Sequence, residues 1–266
     1  MTRAMSAPEK GTTPAGSTAS FHAVFENRGS MGRIVLVCEH ASHHIPAAWA
    51  ELGLTGAARM AHIAWDPGAL DLARGLSKRL DACLVHAPVS RLIYDLNRAP
   101  DQEGAMPARS EVYDIPGNAA ITKEERAKRT QAVYVPFHDD VHIEIARRMA
   151  LGLAPVIVTI HSFTPIYHGA QREVEFGIIH DADDRMAKLV LAHAPEGLRS
   201  MMNEPYSAED GVTHTLRLQA NPYRLPNVML EVRNDLIGTQ DAAEAMADRL
   251  APCLSAALDD LMNGRP

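Results

Sequence analysis

Three distant stretches of this chain are built alike. RIVLVCEHASHHIP (33–46), PVIVTIHSF (155–163) and NVMLEVRNDLI (227–237) each run through aliphatic and β-branched residues and then end abruptly in histidine or charge. A segment such as Ile34 to Cys38, apolar at every position, suits a strand covered on both faces, as in a parallel sheet. VEFGIIHD (174–181) repeats the pattern, and Cys83 to His86 reads as a shorter strand. Helical segments lie between them. Leu72, Leu76 and Leu80 recur at every fourth position, Lys123 to Leu151 reads as helical with a break near Pro136, a helix is expected near Met186 to Ala194, and Asp241 to Leu261 is amphipathic. Alternating strands and helices predict an α/β fold, a three-layer sandwich around a mixed, largely parallel sheet.

A further helical stretch is expected around Ala47 to Leu52, and SRLIYDLNR (90–98) reads as strand-like. The loop that follows, APDQEGAMPARSEVYDIPGN, carries enough Pro, Gly and Asp to be irregular, and its length points to a functional or poorly ordered segment. Residues 1–30, rich in Ser, Thr, Gly, Pro and Ala, predict a loosely held N-terminal arm, which leaves 31–266 as a single domain. With 266 residues, 46% of them hydrophobic, the chain can bury a substantial core. A net charge of -7 argues against a nucleic-acid partner. The aliphatic runs are short and interrupted by Glu, His or Arg, so no membrane span is expected, and no apolar export segment follows the first Met. Cys38, Cys83 and Cys253 are scattered and odd in number, which fits reduced thiols in a cytoplasmic protein. The oligomeric state is not legible.

In a parallel sheet the C-terminal strand ends share one edge, where open α/β folds bind ligands. That edge would gather Glu39, His40, His161 and Glu231. Two imidazoles and a carboxylate are ligands for Zn2+ or another divalent ion, which in hydrolases keeps one position for water. The ion lowers the pKa of that water and polarises a carbonyl. A separate carboxylate must then take the water's proton and pass it to the departing nitrogen, and Glu231 is the candidate. Taken singly, each signal is weak. A lone histidine at a strand end is most often a satisfied polar residue, and His40 and His43 lack the Glu of an HExxH helix and run into Ile45-Pro46.

The blocks CEHASHHIP, HIAWDPGA, SRLIYDLNR, IHSFTP, NEPYS and LEVRNDLI, in this order over roughly residues 33 to 250, resemble the motif series of the N-formylglutamate amidohydrolase family. That family is similar in architecture to zinc-dependent exopeptidases and zinc-dependent cell-wall amidases. The resemblance implies a single catalytic domain in which His40 and His161 are metal ligands and Glu231 is the general base. It also implies an activity, the hydrolysis of N-formyl-L-glutamate to formate and L-glutamate in histidine degradation. The third ligand stays open. Exopeptidases of this type use a His-x-x-Glu motif, but the residue three after His40 is His43. In the cell-wall amidases an acidic ligand lies further on, ahead of a Leu-Ala helix, a place comparable to Asp66 before Leu72-Ala73. The order of preference is Asp66, Glu39, His43. Asp66 sits in Asp-Pro-Gly, which is equally turn or helix-cap chemistry. Two other readings remain: a hydrolase of a different N-acyl amino acid or peptide, and a non-catalytic dicarboxylate-binding protein on the same scaffold.

A dicarboxylate substrate calls for fixed cations, and the planar fork of arginine meets a carboxylate with two hydrogen bonds. Arg91, Arg98, Arg172 and Arg233 are the candidates, Arg233 because it shares a face with Glu231 along one strand. For each of them a structural ion pair is at least as common an outcome. Asn203, Glu204 and Tyr206 of NEPYS, together with His43, are candidate pocket residues, and His214 is a further candidate proton donor. The family pattern has proline directly after the LNR segment, where this chain has Ala99 before Pro100.

Overall fold

The computed structural model describes residues 19–264. Seven strands form one sheet: β1 (Val24–Glu26), β2 (Ile34–Cys38), β3 (Cys83–His86), β4 (Val156–Phe163), β5 (Phe176–Ile179), β6 (Ser200–Met202) and β7 (Asn227–Arg233). Their spatial order is β1-β3-β2-β4-β7-β5-β6. The central strands β3, β2, β4 and β7 are mutually parallel, β1 and β5 join antiparallel, and β6 pairs parallel with β5. Every residue of β2, β3, β4, β5 and β7 is buried, as strands covered on both faces require.

The sheet is covered on both faces, which makes the three-layer α/β sandwich. On one face Leu36, Val158 and Leu230 pack with α1 (Ala69–Arg79), α3 (Arg185–Ala192) and α4 (Gln240–Met262). On the other, Val35, Ile157 and Met229 pack with α2 (Val135–Ala150) and the segments around Leu52, Ile93 and Leu216. The helical region expected from Lys123 to Leu151 is split. A helix over Lys123–Arg129 passes through a π-type turn, Thr130–Tyr134, before α2 begins with Pro136 in its first turn. Proline has no N–H to give and its ring crowds the carbonyl four residues back, so a widened turn precedes it.

Three expectations need correction. The stretch Ala47–Gly53 is a 3-10 segment with Ala50, Glu51 and Leu52 at positive φ, not an α-helix. Of the arm expected over residues 1–30, residues 1–18 lie outside the described residues, and Val24–Glu26 extends the sheet against β3, a pairing too short to leave a periodic signal. The segment 90–98 is not a strand. Its buried backbone is paired mostly outside the sheet: Ser90 N–H donates to His44 O, Asn118 Nδ2 to Leu92 O, Arg129 to Ile93 O, and His138 Nε2 to Leu96 O. Side chains take the place of a ladder, which satisfies the rule that buried peptide groups find partners.

Candidate metal centre and active site

The parallel strands β2, β4 and β7 end at the same edge. β2 stops at Cys38 and the chain turns through Glu39 and His40, so that these neighbours reach opposite sides of His161. Glu231 of β7 lies directly across from His161 of β4 in the parallel register. Asp66 arrives from the segment ahead of α1. Its N–H donates to His40 O, and its Oδ2 accepts from the Ser162 N–H, so the loop is laced to both strand ends. The helix cap is Gly68, not Asp66. Gly68 has φ +80°, and a Cβ there would lie 2.2 Å from the Ile237 carbonyl oxygen, so the turn requires glycine.

His40, Asp66 and His161 form a buried group that could hold a metal ion. The two inner ring nitrogens, Nδ1 of His40 and Nδ1 of His161, are 3.2 Å apart, and Asp66 Oδ2 lies 3.2 Å from the first and 3.0 Å from the second. Ligands about 2.0–2.1 Å from a tetrahedral zinc are separated by roughly 3.3 Å, so the donor set fits in both chemistry and spacing. The outer nitrogens are also held. His40 Nε2 is 2.8 Å from Asp95 Oδ1, and His161 Nε2 is 3.2 Å from Glu39 Oε2, an ion-pair contact without hydrogen-bond alignment. A proton kept on each outer nitrogen leaves both inner lone pairs directed at one point.

The electrostatics favour positive charge at that point. Burial alone would lower the pKa of His161, but the Glu39 and Asp66 carboxylates raise it well above the ordinary imidazole value. Burial and Arg91 oppose the charging of His40, and Asp95 and Asp66 overcome them, so its pKa is raised as well. Asp66 resists the desolvation that would raise it and is held far below the usual carboxylate range by His40, His161 and Arg91. Glu231 goes the other way. Burial, with some help from Asp66, pushes it up to about 7 against the pull of His161, and its Oε2 has no hydrogen-bond partner. Gly177 adjoins it on β5, where a Cβ would lie 2.1 Å from the Glu204 carbonyl oxygen and 3.2 Å from Glu231 Cβ. That bare position lets the 204–206 turn close over the sheet.

A cavity of about 490 Å3 opens above this group, and His40, Asp66, His161, Glu231, Arg91, Arg98, Arg172 and Tyr206 line it. Arg91 donates to Asp66 Oδ1 at 3.2 Å and to Asp95 Oδ2 at 2.6 Å, bracing two carboxylates of the centre. Arg172 lies 4.5 Å from the Tyr167 ring centre and 4.8 Å from that of Tyr206, donates to the Tyr206 hydroxyl, and has no ion pair with a described carboxylate. Other expected residues sit elsewhere. Glu39 is buried behind His161, apart from the three-residue group. His43 is exposed against Trp65, and Asn203 bonds to His180. Arg233 pairs with Glu175 and Asp235 and does not line the cavity, because the strand ends there beside those carboxylates. His214 is bonded to Tyr134, off the cavity wall. Two cavity-lining residues escaped the sequence reading, Asp95 and Asn97, both within the irregular segment. Polar residues set among Leu92, Ile93 and Leu96 in a segment expected to be buried were the available signal.

Fold and site together define an α/β protein with a buried His-Asp-His group and an adjacent free carboxyl at the ends of parallel strands. The chain matches the N-formylglutamate amidohydrolase family over residues 32–238 and belongs to that family. Among solved structures it is similar to the gene product Atu2144 from Agrobacterium tumefaciens, with 50% identity, a TM-score of 0.89, and coverage of 91% of this chain and 97% of that one. It shares its fold with N-formylglutamate amidohydrolase from Ralstonia eutropha JMP134, with 16% identity, a TM-score of 0.63, and coverage of 88% and 95%. No curated protein matches the chain.

Proposed function

We propose that the protein is a zinc-dependent amidohydrolase that cleaves N-formyl-L-glutamate to formate and L-glutamate. The observation that carries this reading is the convergence of His40, Asp66 and His161 on one point beside Glu231, a carboxyl with an unpartnered oxygen. Bound by these three residues, zinc would supply Lewis acidity and a water of near-neutral pKa. Glu231 takes the water's proton and delivers it to the departing nitrogen. A buried carboxyl with an unpartnered oxygen beside the group is placed for both halves of that task. Asp95 and Glu39 orient the two histidines, and Arg91 holds Asp66 and Asp95 in place.

Arg172 and Arg98 grip the substrate carboxylates. Both line the cavity, and neither forms an ion pair with a described carboxylate, whereas Arg91 is already committed. No helix among the described residues is long and apolar enough to cross a membrane. Three buried, unpaired cysteines support a reducing compartment, the cytoplasm, where histidine degradation would supply the substrate.

The direct test combines metal analysis with a formate-release assay. Thorough chelation should abolish turnover, and stoichiometric Zn2+ should restore it. Full turnover by metal-free protein would overturn the proposal. A panel of N-formyl, N-acetyl and N-formimino amino acids then fixes the acyl group and the amino acid.

A further inference from the structure

The cavity continues past its arginine wall. Ile63, Arg91, Asp95, Arg98 and Ser110 line both the main cavity and a second hollow of about 420 Å3, which Leu92, Gln102, Glu103, Gly104 and Pro107 complete. N-formylglutamate has only about a dozen non-hydrogen atoms, and cavities of roughly 300–1,000 Å3 take ligands of drug size. The main cavity, at about 490 Å3, accommodates the small substrate by itself. The second hollow is therefore space that this substrate does not need.

The charges at the junction indicate which half of a longer substrate would enter. Arg98 donates to the Asp210 carbonyl oxygen at 2.6 Å and has no ion pair with a described carboxylate. A cation without its own counter-charge favours the carboxyl-bearing amine half of a substrate over the neutral acyl half. Beyond Arg98, Pro107 and the almost fully buried Ile63 and Leu92 line the hollow together with Gln102, Glu103 and Ser110.

We infer that the second hollow is a subsite for substrates that continue past a glutamyl carboxyl through an amide bond, namely N-formylglutamyl dipeptides, whose C-terminal carboxylate meets Arg98 in place of the glutamyl carboxylate taken into the amide. The inference rests on the amidohydrolase reading given above. The bond broken is still the formyl C–N bond. The water oxygen ends in formate, its proton goes to the amine, and the peptide leaves with a free N-terminus.

Gly104 gives a selective probe. It has no positive φ, and a Cβ there would be 3.7 Å from Arg98 Nε, an ordinary contact, so a larger side chain extends into the hollow. The zinc-loaded wild type, Gly104→Leu and Glu103→Trp would be assayed with N-formylglutamate, N-formyl-Glu-Val and N-butyrylglutamate. Glu103 is exposed and lines only the second hollow, so it provides an independent plug. The expected result is peptide turnover by the wild type that falls about tenfold or more in kcat/KM in either variant, the scale on which pocket sterics act. N-formylglutamate turnover should stay within about twofold, which also shows that the variants fold. Hydrolysis of N-formylglutamate without hydrolysis of the peptide overturns this inference alone. So does a selective loss on N-butyrylglutamate, which would assign the hollow to the acyl half. Failure on all three substrates by the wild type sinks the amidohydrolase reading itself.

Discussion

Replacing Glu231 by glutamine should make the metal-free protein more stable while removing its activity. Burial lifts this carboxyl from an ordinary value of 4.5 to about 7. Each tenfold change in a protonation equilibrium corresponds to ~1.4 kcal/mol, so ionising Glu231 inside the fold costs about 3 kcal/mol. Because the folded value lies above the unfolded one, the folded state binds more protons between them. The wild type therefore loses stability as pH rises from about 4.5 to about 7 and stays at the lower level above that. Glutamine is neutral throughout and occupies the same volume. Urea unfolding of the two metal-free proteins should give similar stabilities near pH 4.5 and a gap that opens to about 3 kcal/mol in favour of Glu231→Gln by about pH 8. In the zinc-loaded enzyme the same substitution should lower kcat by roughly 100- to 10,000-fold, the range for loss of a general acid-base. A gap that does not change with pH, or a variant that is the less stable partner in alkaline solution, would refute the argument that Glu231 is a desolvated carboxyl.

Arg172→Ala should raise KM for N-formylglutamate about 10- to 100-fold with a smaller effect on kcat, as expected when a charge-assisted contact to a substrate carboxylate is lost. A fall in kcat at constant KM would place Arg172 outside substrate binding. Glu144→Gln tests the scaffold instead. Glu144 is fully buried and accepts from Arg147 and Arg148, and Arg148 is itself fully buried. Leaving that guanidinium without its counter-charge should cost ~3–5 kcal/mol and lower Tm by about 10 °C, measured by calorimetry, with kcat/KM of the folded enzyme unchanged.

The sheet was legible because its central strands are covered on both faces, and segments dominated by aliphatic and β-branched residues suit that environment. Ile34–Cys38, Val156–Phe163 and Asn227–Arg233 all emerged at or near their expected bounds. A weaker form of the same signal misled at SRLIYDLNR, where Leu92, Ile93, Tyr94 and Leu96 are the apolar residues. There the backbone is satisfied by Asn118, Arg129 and His138, which lie 26, 36 and 42 positions from the carbonyls they serve. No local pattern encodes partners so remote. Asp95 was hidden for the same reason, inside a segment read as a strand. Strand alternation put Arg233 and Glu231 on one face, but it carried no information about Glu175 and Asp235, which engage Arg233 at the end of β7. Asp66 was ambiguous because Asp-Pro-Gly is strong turn chemistry whether or not its carboxylate has further work. Only the third dimension shows the side chain turned toward His40 and His161 instead of the helix N-terminus.

The spacing of the His-Asp-His group along the chain also sets a timetable for assembly. His40 and Asp66 are 26 positions apart, but His161 is 121 positions beyond His40 and reaches it only after β4 has docked beside β2. Closing so long a loop is slow compared with forming helices or turns. A nascent chain that has emerged only through α2 offers at most two of the three ligands, and tight ion capture belongs to the last stage of maturation. On the proposed zinc reading, metal availability bears on the finished fold and not on its nucleation.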